Sequence, residues 1–135
     1  MAQVSRDRVE FDLNSVRRAP QISGLHAGED GIKKGMPCRI NSDGEVVRSN
    51  GSAADVNAQV DGFAARDADA GEPITLIGEG ARIRYSKGGN LTPPNTLYLA
   101  AADGELDNVS TTGDSVGVAR VISANEIVIQ NLGPR

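Results

Sequence analysis

The stretch TLYLAAADGELDN, residues 96–108, holds an apolar run, an Asp103-Gly104 pair and a return on Leu106. An Asp-Gly pair between apolar runs is a hairpin signal, because both residues tolerate the positive φ of tight turns. CRINSDGEVVRSN, residues 38–50, repeats the device with Asp43-Gly44. Each pair is followed by a glutamate, so Asp43, Glu45, Asp103 and Glu105 are candidates for a carboxylate site. Acid–base catalysis by such a pair needs one carboxyl in an apolar pocket that raises its pKa. These four sit in turns, where water is plentiful. They read as hairpin corners facing water or a neighbour, with no chemistry assigned.

Outward from these corners the chain keeps the same rhythm. Strand patterns are expected over Met36–Asn41, Glu45–Arg48, Gln59–Ala65, Ile74–Ile77, Ala81–Ser86, Thr96–Ala101, Val116–Ile122 and Glu126–Gln130. Asp61-Gly62 marks a bulge within the third of these. Ala81-Arg-Ile-Arg-Tyr-Ser86 alternates, so Ala81, Ile83 and Tyr85 should point inward with the arginines outward. Gly24–Gly35 and the Gly/Pro-rich Lys87–Asn95 read as loops, and Asn50–Asn57 as a loop with room for one helical turn. Turn signals about every ten residues predict an all-β fold, a compact β-sandwich or β-barrel of about eight or nine short strands.

Residues 1–20 differ from the rest. They carry Arg6, Arg8, Arg17 and Arg18, lack glycine and end at Pro20. Within them Val9-Glu-Phe-Asp-Leu13 alternates apolar and acidic, the period of a strand. Five residues make no core. The expected division is an extended N-terminal arm, 1–20, and a β-rich domain, 21–135. Val9, Phe11 and Leu13 are the expected contact residues, laid on a sheet edge of the same chain or of a partner. The plain alternative is a frayed terminus.

Composition narrows the function classes. The 135 residues suit one domain, and only Phe11, Phe63, Tyr85 and Tyr98 are aromatic. The core must rest on aliphatic side chains, and surface shared with an oligomer or a larger partner would stabilise it. The net charge of -4, with both signs mixed along the chain, argues against a nucleic-acid binder. No apolar run approaches the ~18 residues of a membrane span. The opening MAQVSRDRVEF has no signal-peptide core. A soluble protein made in a cytoplasm is expected.

The remaining chemistry-bearing residues are few. Cys38 is the one cysteine and His26 the one histidine. Cys38 lies among Met36, Pro37 and Ile40, which suits a small buried residue better than a reactive thiol. Asp67-Ala-Asp69-Ala-Gly71-Glu72 resembles the start of a calcium loop, but glycine stands where the third oxygen ligand is needed. It reads as an acidic turn. The glycine pairs open no helix, so no phosphate loop is expected. For nucleophilic catalysis only His26 could serve as an imidazole base. The expectation is a protein that is not an enzyme and uses no metal or cofactor.

The order of the motifs carries a resemblance. Val60-Asp-Gly-Phe-Ala-Ala-Arg-Asp-Ala-Asp-Ala-Gly-Glu-Pro-Ile-Thr-Leu-Ile-Gly78 is similar to a V-x-G-x-A strand followed by A-G-E-x-(V/I)-T. Leu97-Tyr-Leu-Ala-Ala-Ala-Asp-Gly-Glu-Leu106 is similar to L-Y-x-x-A-D-G-x-L, with one residue more between Tyr98 and Ala102. Gly117-Val-Ala-Arg-Val-Ile-Ser-Ala-Asn-Glu-Ile-Val-Ile129 is similar to a closing G-x-A-x-x-x-(S/T)-x-x-x-I-x-(V/I). These runs, in this order, resemble the capsid cement, or head decoration, proteins of tailed bacteriophages. The likeness covers roughly residues 25–131 and not the first 20. It implies a β-rich structural virion protein, often a homotrimer, on the outer capsid surface, where it clamps neighbouring major capsid subunits after the shell expands. The competing readings are another virion β-module of a tail or head–tail junction, a small hydrolase using Asp103 or Glu105, and a non-viral binding domain.

Overall fold

Ala81, Ile83 and Tyr85 are fully buried while Arg82 and Arg84 between them are exposed. The alternation read from the sequence is therefore the inward and outward pleat of a real strand. In the computed structural model, residues 3–4, 6, 9–86, 89 and 91–132 are described. They form a nearly all-β sandwich of two antiparallel sheets. In chain order the strands are β1 (Gln3–Val4), β2 (Glu10–Phe11), β3 (Gln21–His26), β4 (Pro37–Ile40), β5 (Val46–Arg48) and β6 (Gly62–Ala64). They continue as β7 (Pro73–Ile77), β8 (Arg82–Arg84), β9 (Thr96–Leu99), β10 (Leu106–Asp107), β11 (Ala119–Val121) and β12 (Glu126–Ile129). One short helix, α1 (Leu13–Arg18), follows β2, and a 3-10 turn occupies Val56–Ala58.

The larger sheet has the order β1-β10-β9-β11-β12-β8-β2. Its two outer strands both come from the N-terminal segment: Val4 pairs with Leu106 and Glu10 with Arg84. Six residue steps reach at most about 21 Å. The outer strands of a flat seven-stranded sheet stand about 29 Å apart. The sheet must therefore curl, and one short segment spans its two edges. The smaller sheet, β3-β7-β6-β4-β5, also turns back on itself, because Ala27 just past β3 bridges Val46 of β5.

Two apolar clusters result. One is built from the inner face of the larger sheet, with Ile83, Tyr85, Leu97, Leu99, Ile127 and Ile129, and it takes in Phe63 and Ile77 of the smaller sheet. The other lies on the opposite face of the smaller sheet, where Cys38, Val46, Ala64, Ile74 and Leu76 are covered by Ala27, Ile32 and Met36. Each buried Leu, Ile or Phe stabilises the fold by about 1.5–3 kcal/mol relative to exposure. Aliphatic side chains supply most of both clusters, as the composition required.

The strand count exceeds the expected eight or nine because several strands are two or three residues long. Strand β3 was not expected over its full length: Gln21–His26 has no buried residue, and Gly24 at φ +80° breaks its register against β7. The alternation of Val9–Leu13 ends early, since Asp12 caps α1 and turns Leu13 onto a helix. The turn expected in 50–57 is present, capped by Asp55, whose side chain accepts from Asn57 N.

Candidate interaction surface

The three expected contact residues take three different places. Val9 is buried in the larger core, and Gly35 opposite it has no side chain to fill the space Val9 occupies: an added Cβ would lie 2.8 Å from Val9 Cγ1. Phe11 is half-buried and pairs with Ile83. Leu13 is 73% exposed. The segment pairs with sheet edges of its own chain, and only its last residue of the three faces water.

Helix α1 has six residues and buries none of them fully. A helix this short has almost no stability of its own. Its position is fixed by polar bonds at its start. Asp12 N donates to Arg82 O at 2.9 Å, and Asp12 Oδ2 accepts from Ser15 N at 3.1 Å. Ser15 Oγ donates to Asp12 O at 2.8 Å and accepts from Arg82 N at 2.9 Å. Both backbone groups of Arg82 are thus spent on the segment, which extends the β2–β8 pairing into the first turn of the helix. At the other end Gln21 Nε2 donates to Val16 O at 2.9 Å, and the helix runs out on Arg17 and Arg18, favourable at a helix C-terminus.

Beside α1 lies a shallow hollow lined by Glu10, Phe11, Asp12, Leu13, Asn14, Arg17, Arg84 and Glu126. Its charge is mixed. Arg82 Nη2 meets Glu126 Oε1 at 3.1 Å, but both side chains are well exposed, so the pair contributes little. Arg17 and Arg18 have no ion-pair partner among the described residues. Leu13 thus stands exposed on a fixed helix, with Arg17 and Arg18 on the same helix and a hollow of both charge signs beside it.

The acids of the two Asp-Gly-Glu triplets are held apart by different tasks. At the first, Asn41 Oδ1 accepts from the N–H groups of Asp43 and Glu45, and Gly44 N donates to Asn41 O at 3.0 Å. At the second, Asp103 Oδ1 accepts from Asn50 Nδ2 at 2.8 Å, and Glu105 pairs with Arg6. Glycine takes positive φ in both, but at different turn positions. Gly44 closes its four-residue turn, whereas Gly104 is the third residue of Ala102–Glu105. The two corners are thus not one device used twice. Their roles were legible only as turns; Arg6 as the partner of Glu105 left no sequence signal.

The other candidates are placed as follows. Cys38 is fully buried, donates to Met36 O at 3.4 Å, and burial pushes its thiol well above the ordinary range. His26 is exposed on β3. In the acidic turn, Asp67 Oδ1 accepts from Lys34 N at 2.7 Å, Asp69 Oδ1 from Gly31 N at 3.1 Å, and Glu72 Oε1 from Asp69 N at 2.7 Å. Asp67 and Asp69 stitch two loops together through backbone N–H groups, and Glu72 closes its own turn. Among the described residues no group of three or more His, Cys, Asp or Glu is placed to hold a metal ion. No described helix is long and apolar enough to cross a membrane.

Comparison of the chain with models of known protein families, with characterised proteins and with solved structures finds no match. The surface around α1 is therefore read from its own geometry.

Proposed function

We propose that this protein is a structural virion protein of a tailed bacteriophage. It binds the outer surface of the expanded capsid and stabilises it by bridging neighbouring major capsid subunits, as a homotrimer. The motif order in residues 25–131 supports the class. The observation that carries a contact role is Leu13, exposed on a helix that buries no residue fully yet is fixed by Asp12, Ser15 and Arg82.

The mechanism is passive. Subunits bind sites present only on the expanded shell, and each bound copy adds a favourable interface to that state, so linkage stabilises it. Many symmetric copies multiply a modest contact. Leu13 and the arginines beside it belong to the contact surface, toward a capsid subunit or a neighbouring copy.

The test mixes purified protein with expanded shells lacking it and measures occupancy by co-sedimentation and electron microscopy. Saturable binding at symmetric surface positions, reduced in Leu13→Asp, is expected. Shells that remain bare at saturating protein would overturn the reading.

A further inference from the structure

Three loops, 49–58, 100–105 and 108–117, are bonded into one platform. Gly51 N donates to Ala100 O at 2.7 Å, and Gly113 N to Gly51 O at 2.9 Å. Gly104 N donates to Ser49 O at 2.8 Å, and Thr111 Oγ1 to Leu99 O at 2.8 Å. The loops touch backbone to backbone: a Cβ on Gly51 would collide with Leu99 O, and one on Gly113 with Ala53 O. Asp114, fully buried, accepts from Leu99 N, Val116 N and Gly117 N and so fixes the last loop. The platform is pre-ordered, and little entropy remains to be lost when something binds it.

Its outer face is unusual in composition. Val56, Val109 and Val116 are 63%, 43% and 53% exposed, and Ala54, Ala101 and Ala102 are exposed beside them. The three loops contain no Lys, Arg or His. Their exposed carboxylates are Asp55 and Asp103. Depletion of charge around exposed apolar side chains marks the centre of a protein interface. The α1 surface offers the complement at its helix: exposed Leu13 with Arg17 and Arg18, which have no ion-pair partner among the described residues.

We infer that the loop platform receives the α1 surface of a second copy of this chain, Leu13 meeting the valines and Arg17 or Arg18 facing Asp55 or Asp103. Such a contact joins two different patches, and the homotrimer proposed above requires that successive copies close into a ring rather than grow as a filament. The occupant is a second copy because the same chain carries both halves: an apolar face with acids alone, and an apolar knob beside Arg17 and Arg18. This deepens the proposed function by assigning the α1 contact to the neighbouring copy. It is tested without shells, so its failure leaves shell binding untouched, and bare shells leave it untouched.

The experiment is sedimentation equilibrium on the purified full chain. The wild type should form a discrete oligomer. Val116→Asp should weaken association at least about tenfold, as should R17E/R18E. All of these residues are exposed, and circular dichroism checks the fold; V56D substitutes for Val116→Asp if that variant does not fold. V116D and R17E/R18E are then mixed. Each keeps one working surface, so the mixture should form a one-to-one dimer and grow no further. A monomeric wild type, an oligomer indifferent to either set of substitutions, or a mixture that stays monomeric overturns the inference.

Discussion

Arg6 Nη1 meets Glu105 Oε2 at 3.0 Å, joining the N-terminal segment to the turn between β9 and β10 across ninety-nine positions. The side chains are 14% and 18% exposed, and the same Arg6 nitrogen reaches Gly104 O at 3.4 Å. A pair this far from water is costly to break, because the remaining partner loses its compensation. Arg6→Ala and Glu105→Gln are each expected to lower stability by about 1–3 kcal/mol in urea denaturation. Glu45, the matching residue of the first triplet, makes no such pair among the described residues, and E45Q should stay within about 0.5 kcal/mol of wild type. Equal costs at both glutamates would contradict this account.

The strands with strict alternation were legible. Ala81–Tyr85 shows apolar residues every second position and folds accordingly, whereas in Glu126–Ile129 Val128 is apolar too and only the burial alternates. Strand β3 was not, because its exposure removes the apolar signal that burial would impose. Helix α1 was hidden for a related reason: a helix that fully buries no residue needs no helical apolar stripe, and only its cap at Asp12 specifies it. The closure of the larger sheet by one segment depends on pairings between residues about a hundred positions apart, which no local pattern encodes. Of the three expected contact residues, periodicity could say that Val9 and Phe11 face one way. It could not say that Leu13 would leave the strand.

Glycines 44 and 104 provide a paired test of the two corners. Both hold positive φ, +77° and +70°. Around Gly44 an added Cβ meets nothing within 4 Å, so Gly44→Ala should cost only the backbone strain of about 1 kcal/mol. At Gly104 the Cβ would lie 2.6 Å from Met36 Sδ and 3.2 Å from Arg48 Cδ. Gly104→Ala should therefore cost more, about 2–3 kcal/mol, with displacement of Met36 adding to the strain. Thermal or urea denaturation of the two variants would show the difference, and a larger loss at Gly44 would refute it.

Stability should fall in alkali, and the sign follows from two buried acids. Burial pushes the Cys38 thiol above its ordinary value of 9.0 and the Tyr85 phenol above 10.0, the nearby Arg6 opposing the shift at Tyr85. In the folded chain both groups keep their protons where the unfolded chain has lost them. Their contribution is complete below pH 9 and is lost as pH rises through and above these ordinary values. Each fully engaged group should add a slope of about 1.4 kcal/mol per pH unit. Cys38→Ala should delay the onset by about one pH unit, after allowing for its own cavity cost. Urea midpoints between pH 7 and 11 measure this; an onset unchanged by the substitution would remove Cys38 from the account.

Among the described residues the hydroxyl of Tyr85 has no hydrogen-bond partner of ordinary geometry, Arg6 being near it but poorly placed, although the residue is fully buried. Leaving a buried hydroxyl unpaired costs about 1–3 kcal/mol relative to water. Tyr85→Phe keeps the ring in its core position and removes that cost, so it should leave stability unchanged or raise it by up to about 1 kcal/mol. A loss above about 1 kcal/mol would show that the hydroxyl is satisfied in solution, most directly by the neighbouring Arg6–Glu105 pair.

Asp114 is the opposite case, a buried carboxylate with its oxygens in use. Oδ2 accepts from Leu99 N at 3.0 Å, and Oδ1 from Val116 N at 3.0 Å and Gly117 N at 2.8 Å. Asp114→Ala strands three backbone donors and should cost about 3 kcal/mol or more. In Asp114→Asn, one carboxylate oxygen becomes an amide nitrogen. If the amide nitrogen faces Leu99, two donors confront each other; if it is flipped, it faces Val116 and Gly117, so no orientation satisfies all three donors. A loss of about 2 kcal/mol is expected. Because the same carboxylate holds the loop that carries Val116, Asp114→Asn should also weaken association between copies under conditions where it remains folded. Urea denaturation and sedimentation on one sample separate the two effects. Unchanged stability would remove Asp114 as the anchor of the loop, and unchanged association in a destabilised variant would detach that loop from the contact.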